Sequence, residues 1–340
     1  ASVRLMGTDK RVWLDRFEED HDNLRAAMTW AIEHGRAETA LRMGAGLWRF
    51  WQMRGFLGEA IDRLEQALQM AHAADHPEAR ADALSAAAGI AYWQADIERS
   101  RRYYTEEIEA RRAMDDRAGL AEALYGISFT YTVLGSMDTE ESRLSRDAID
   151  QARAIFDELG DEAGVGRCEW ALANDAWAKR ELSAARRHGL NALEVFERIG
   201  DSFMIGWSAY TLALAELGFD PGGPESENRT AARGWLERAL RIFADAGDVS
   251  GYTLVLDALA LVALRVGDRD RAARLSGAVR SLERTTGTGL NSWNRKWLDF
   301  APEELFEDPT LAGAWSEGER IGIPELVAYG LAADGSGEGA

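Results

Sequence analysis

The sequence predicts an all-α protein, a solenoid of stacked helical hairpins. Three observations lead there. The chain has six prolines in 340 residues, with abundant Ala, Leu, Glu and Arg, which favours helix throughout. Runs of β-branched residues that would mark strands are missing. Pairs of small residues recur at the spacing expected within a helical hairpin, and Gly-Asp dipeptides punctuate the intervals between hairpins.

Residues 1–40 read as leading helices. In "DKRVWLDRFEEDHDNLRAAMTWAIEHG" the residues Val12, Leu14, Phe17, Leu24, Met28 and Ile32 form an approximate helical stripe, in one long helix or two. Residues 41–285 read as an array of about six hairpins. The first contains "GLWRFWQMRGFLGEAIDRLEQAL", in which Trp51, Gly55, Ala60, Leu64 and Ala67 fall on the slots of a tetratricopeptide-like hairpin. In that pattern a small residue sits inside helix A, an aromatic follows three positions later, and Ala sits early in helix B.

The same skeleton recurs five times. The small slot of helix A holds Ala88, Ser128, Ala173, Ala213 and Ala260, and that of helix B holds Ser100, Ser145, Ala185, Ala232 and Ala272. Small side chains at both slots let two helices approach closely. The interval between helix A slots runs 40, 45, 40 and 47 residues, longer than the 34 of the standard repeat. Longer helices and loops account for it, including the Pro/Gly-rich insertion "FDPGGPESEN" at 219–228. Resemblance to the tetratricopeptide repeat implies a right-handed superhelix; armadillo-type or HEAT-type solenoids are the alternative, because the repeat-closing proline is absent. In "LGD", "IGD" and "AGD" the Gly accepts the left-handed conformation that ends a helix, and the Asp caps the next. Trp48 occupies the slot that is Ala or Ser in the later hairpins, so it is expected to wedge the first hairpin apart. Phe50 is expected to pack on the leading helices.

Residues 286–333 carry Trp293, Trp297, Phe300, Leu305 and Trp315, and read as short helices capping the last hairpin, whose outer face has no neighbour. Residues 334–340, "DGSGEGA", read as a disordered tail.

Formal net charge is −19. That field repels a phosphate backbone, so direct nucleic-acid binding is not expected. The longest apolar run, "YTLVLDALALVALRV", is broken by Asp257 and too short to span a bilayer, so no membrane association is expected. The single cysteine, Cys168, excludes an internal disulfide and a Cys-based zinc site, and the chain reads as cytoplasmic.

No phosphate-binding loop, nucleophile elbow or His-Glu-x-x-His helix occurs. No catalytic residue, metal site or cofactor is therefore expected in this chain. His72 and His76 are four apart, but beside Pro77 they read as helix-end residues; His34 and His188 stand alone. Cys168 follows Arg167, which would lower a thiol pKa, but a small buried thiol is the simpler reading.

A candidate binding stripe lies on the A helices, which line the concave face of such arrays. Arg167, Trp170, Asn174 and Trp177 are spaced three, four and three apart, so they share a helix face. Equivalent positions add Tyr125 and Phe129 before them and Trp207 and Tyr210 after. Aromatics with a few polar groups suit a groove for a sugar, flat metabolite or peptide; aromatics at this spacing also suit plain packing.

The segment "RFEEDHDNLRAAMTWAIEHGRAETALRMGAGLWRFWQMRGFLGEAIDRLEQAL" resembles the junction in actinobacterial signalling ATPases of the NB-ARC/STAND type. There an NTPase with a winged helix passes into a carboxy-terminal tetratricopeptide region. The marks are Phe17, Glu18, His21, Asn23, Leu24, Arg25 and Ala26, then Trp48, Trp51, Gly55, Leu64 and Leu68, then Ala314, Trp315 and Gly318. Such proteins are mostly transcriptional regulators of the LuxR type or the antibiotic-regulatory type. The resemblance implies a non-catalytic sensor region whose partner is a small-molecule effector or a protein, joined to an N-terminal ATPase module of the same polypeptide. A protein-interaction scaffold that binds a peptide is the alternative.

Overall fold

In the computed structural model, residues 10–134, 139–220 and 226–332 are described. The tail at 334–340 and residues 221–225 of the Pro/Gly-rich insertion lie outside them. The described residues form helices and connecting turns, and the chain is an all-α solenoid of tetratricopeptide-like hairpins.

Two short helices lead in, α1 (Lys10–Glu19) and α2 (His21–Glu33). The hairpins are α3 (Ala37–Arg54) with α4 (Leu57–Leu68), α5 (Pro77–Trp93) with α6 (Ile97–Ala113), and α7 (Arg117–Leu134) with α8 (Glu140–Leu159). They continue as α9 (Glu162–Ala178) with α10 (Leu182–Ile199), α11 (Ser202–Phe219) with α12 (Glu227–Ala246), and α13 (Val249–Arg265) with α14 (Arg269–Thr286). Four short helices follow: α15 (Asn291–Leu298), α16 (Glu303–Glu307), α17 (Ala312–Gly318) and α18 (Ile323–Leu331).

The small slots hold the hairpins together. All ten small-slot side chains from Ala88 to Ala272 are fully buried. Ser100 Oγ donates to the carbonyl of Ala88 at 2.8 Å, so a serine fits the slot by bonding the helix it faces. Ser145 instead shares a 2.9 Å hydrogen bond with the Thr132 hydroxyl. Helix boundaries follow the Gly-Asp signals. Gly160 and Gly200 adopt φ of 69° and 73°, and the next residues, Asp161 and Asp201, accept from the N–H of Gly164 (2.9 Å) and Met204 (3.1 Å).

The first hairpin corrects the expected register. Its close approach is made by Gly44, where a Cβ would sit 2.7 Å from Leu64 Cδ2. Trp48 lies instead against Gly89 of α5, whose Cβ would meet the indole at 2.9 Å. The indole therefore does not wedge α3 from α4; it leans onto the next hairpin. Phe50 is fully buried, with ring centroids 5.7 Å from Phe17 and 5.3 Å from His21, so it ties α3 to the leading helices.

The array curls until its ends meet. Arg54 Nη1 at the end of α3 donates to the Gly247 carbonyl before α13 at 3.1 Å, and Gln52 bonds to Ser250. Helices α16, α17 and α18 cover α14 and its neighbours α12 and α13. Residues 287–298 do something different: they run across the concave side. Gly289 N donates to the Trp93 carbonyl at 3.0 Å, Asn294 Nδ2 donates to Tyr210 Oη at 2.7 Å, and Arg180 donates to the Trp297 carbonyl at 2.9 Å.

Candidate functional site

The three central A helices present the position three before the small slot and the position one after it to the interior of the curl. On α7 these are Tyr125 and Phe129, on α9 Trp170 and Asn174, and on α11 Tyr210 and Leu214. Together with Trp207 they line one cavity of about 170 Å³, open on one side. Their rings form a continuous ladder. Tyr125 meets Phe129 edge-on at 5.2 Å, Phe129 meets Trp170 at 5.1 Å, and Trp170 meets Trp207 at 6.1 Å. Each such pair contributes about 0.5–1.5 kcal/mol beyond area burial. The Trp170 indole N–H is held by Thr211 Oγ1 at 2.9 Å, which fixes the ring edge. Asn174 Nδ2 donates to the Trp170 carbonyl one turn back at 2.8 Å.

Arg167 and Trp177 stand outside the cavity. Arg167 pairs with Glu122, its equivalent on the neighbouring helix α7, and with Asp161 at 3.5 Å. Like positions on adjacent A helices lie side by side, so opposite charges there neutralise each other. Trp177 is buried between α9 and α11, donating to the Leu214 carbonyl at 3.0 Å and packing on Trp297.

The rest of the wall comes from elements outside the stripe. Trp48 and Arg49 enter from α3, Tyr92 and Trp93 from α5, and Tyr104 from α6. Phe203 and Met204 add the start of α11, and Trp293 and Asn294 of α15 close the far side. The glycines at these positions have a packing cause. Gly89 provides the floor for Trp48, and Gly126 that for Tyr104, whose ring lies 2.5 Å from where a Cβ would stand. Each glycine lies on a different hairpin from the aromatic it admits, so no local spacing marked Trp48 or Tyr104 for the cavity.

Arg49 is the ionised side chain in this wall. Its guanidinium stacks over the Trp48 ring at 3.8 Å and reaches Gln52 Oε1 at 3.4 Å. Burial pulls its pKa below the ordinary arginine value, with Tyr125, Tyr104, Asp248 and Glu122 acting weakly the other way. An arginine so placed nevertheless stays charged at neutral pH. Burial pushes the phenols of Tyr92, Tyr104 and Tyr125 up, so they remain protonated donors.

Other candidate groups are structural. His188 does not stand alone: its Nδ1 lies 2.8 Å from Glu169 Oε2, a residue nineteen positions back on the facing helix. Arg153 and Asn191 also reach Glu169, and these partners, His188 first, hold its carboxyl down at about 2. Burial pushes the Cys168 thiol up to about 12, against the pull of Arg167. His72 pairs with Asp75 at 2.8 Å in an exposed turn, and His76 lies 3.8 Å from Glu38.

No protein-family model matches the chain. It is similar to proteins of Mycobacterium bovis and Mycobacterium tuberculosis provisionally designated HTH-type transcriptional regulators, at 25% identity over 211 residues. That match covers 48% of this chain and 23% of each relative. In fold, the chain is similar to a Rap protein solved in complex with competence and sporulation factor. That likeness has a TM-score of 0.54 at 14% identity, and covers 88% of this chain and 86% of the other. Among the described residues no helix is long and apolar enough to cross a membrane.

Proposed function

We propose that this chain is the non-catalytic sensing region of a multidomain transcriptional regulator, and that it binds a small-molecule effector in the concave cavity. The observation that carries the reading is the cavity itself: an aromatic ladder across three hairpins, with one cation and several phenols among the described residues of a mostly apolar wall. Ligand sites are commonly concave and apolar with a few placed polar groups. The likeness to regulators that are more than four times as long as the matched stretch supports placement within a larger polypeptide. An N-terminal NTPase module of the NB-ARC/STAND type is the natural companion, and the cytoplasm the natural compartment.

The alternative is a scaffold that seats a peptide in the same groove. It draws support from the Rap neighbour, a protein solved with a bound factor. The cavity favours the small molecule. At about 170 Å³ it suits one or two rings rather than an extended segment.

A library of one- and two-ring compounds, screened by saturation-transfer NMR, tests the reading. Hits are expected to lose at least tenfold in affinity on Trp170→Ala, with helix content unchanged by circular dichroism. Absence of hits, or hits indifferent to Trp170→Ala, would remove it. Reading the gene upstream tests the wider claim: a phosphate-binding loop and a helix-turn-helix in the same frame are expected, and a stop codon just upstream would sink it.

A further inference from the structure

Arg49 is placed where a cation is costly. Its guanidinium sits among Trp48, Phe203, Tyr104 and Tyr125, stacked 3.8 Å over the Trp48 ring and 5.6 Å from Phe203. Arg49 is half-buried, and a charge drawn partly out of water without an opposite partner gives up hydration that nothing repays. Elsewhere in this chain arginines drawn out of solvent meet carboxylates: the buried Arg111 meets Asp82 at 2.6 Å, and the half-buried Arg295 meets Asp257 at 2.7 Å. Among the described residues Arg49 forms no ion pair. The carboxylates within electrostatic reach are already committed, Glu122 to Arg167 and Asp248 to the N-terminus of α13.

Two phenols stand beside this cation. The hydroxyls of Tyr104 and Tyr125 make no hydrogen bond to any described residue, and both residues line the cavity with Arg49. Stacking on Trp48 occupies the face of the guanidinium; Nη1 donates to Gln52 at 3.4 Å, and the remaining N–H groups have no hydrogen-bond partner among the described residues. The wall therefore offers a fixed fork of charged donors flanked by two neutral donors, facing an aromatic cage. Among the described residues that line the cavity none is a carboxylate that would repel an anion.

Resting on the reading that this cavity is the effector site, we propose that it takes a small aromatic monoanion, a carboxylate or sulfonate, whose charged end sits on Arg49, Tyr104 and Tyr125. The flat body lies against Phe129, Trp170 and Trp207. A single lining cation matches a single negative charge. With the chain at a net charge of −19, polyanions such as nucleoside triphosphates are disfavoured.

The test uses a matched pair of probes, 2-naphthoate and 2-naphthamide, which share ring and shape and differ in charge. Isothermal titration of the intact chain is expected to show naphthoate binding at least tenfold tighter than the amide. Arg49→Gln is expected to bring naphthoate down to the level of the amide, Arg49→Lys to keep part of the preference, and Tyr125→Phe to weaken naphthoate alone. Without ligand, Arg49→Gln is expected to leave the melting temperature unchanged or higher, since it removes a half-buried charge that has no ionic partner among the described residues. Equal binding of the two probes, or a preference that survives Arg49→Gln, overturns the anion while leaving the cavity as a site. A drop in melting temperature with Arg49→Gln makes the residue a packing element and also overturns it. Binding of neither probe to the folded protein overturns the anion and the cavity reading together.

Discussion

At the scale of single residues, the stretch around Trp48 shows how little separates a core aromatic from a cavity aromatic. Trp51 is buried, Phe50 seals the contact with the leading helices, and Trp48 and Arg49 turn to the interior of the curl. What permits this is Gly89, forty-one positions further on. Gly89→Ala is expected to push the indole by a few tenths of an ångström and to weaken ligand binding. The change in far-UV circular dichroism should be negligible, because alanine is the better helix former. A second residue-scale effect concerns Glu169, held near 2 chiefly by His188. A carboxyl with a depressed folded pKa contributes stability above its unfolded value, near 4.3, and loses it as pH falls toward 2. With screening allowed for, this contribution is about 1–2 kcal/mol. Urea unfolding of the wild type and Glu169→Gln should therefore separate above about pH 5, draw together as pH falls, and converge only near about pH 2. Parallel curves would refute the assignment.

At the scale of elements, the hairpin is set by its small slots. Ala260 on α13 and Ala272 on α14 are both fully buried, on two helices that pack against each other. Ala260→Leu forces three extra carbons into that packing and should cost about 1–3 kcal/mol or more by overpacking, read as a lowered denaturation midpoint. A shift below the error of the measurement would mean the slot is not a close approach. The Gly-Asp boundaries belong to this scale too, and they were legible because a left-handed Gly and an N-cap Asp are chemical requirements of the turn itself. The helix α15 was not legible in its position. Its aromatics mark it as half-buried, but Trp297 packs on Trp177 of α9, and Trp293 lines the cavity together with Tyr92 and Trp93 of α5. It was expected over the last hairpin and lies across the concave side instead.

At the scale of the whole molecule, the contact between α3 and the start of α13 turns an open array into a curl with an interior. Arg54 carries much of this contact, through the Gly247 carbonyl and through Asp15 and Glu18 of α1. Arg54→Ala is expected to raise hydrogen exchange together at the end of α3 and the start of α13. The central helices α8, α9 and α10 should keep wild-type protection, because repeats contact chiefly their neighbours. Uniform change along the chain, or none, would argue against a closing contact.

The sequence by itself determined the class of fold, the hairpins, their boundaries and the stripe from Tyr125 to Tyr210. All of these depend on interactions within a hairpin or between successive ones, where the relevant residues recur at a readable interval. It also marked Tyr125, Phe129, Trp170, Asn174, Trp207 and Tyr210 as sharing a face. Only the tertiary structure decided that Arg167 and Trp177 point away from the cavity while Arg49, Tyr104 and Trp293 point into it. Arg49 meets Phe203 across more than 150 positions, and Trp293 faces helices from the other end of the array. Such pairings follow from the accumulated rotation of six hairpins, a small angle per repeat that no local pattern encodes and that packing sums into a closed interior.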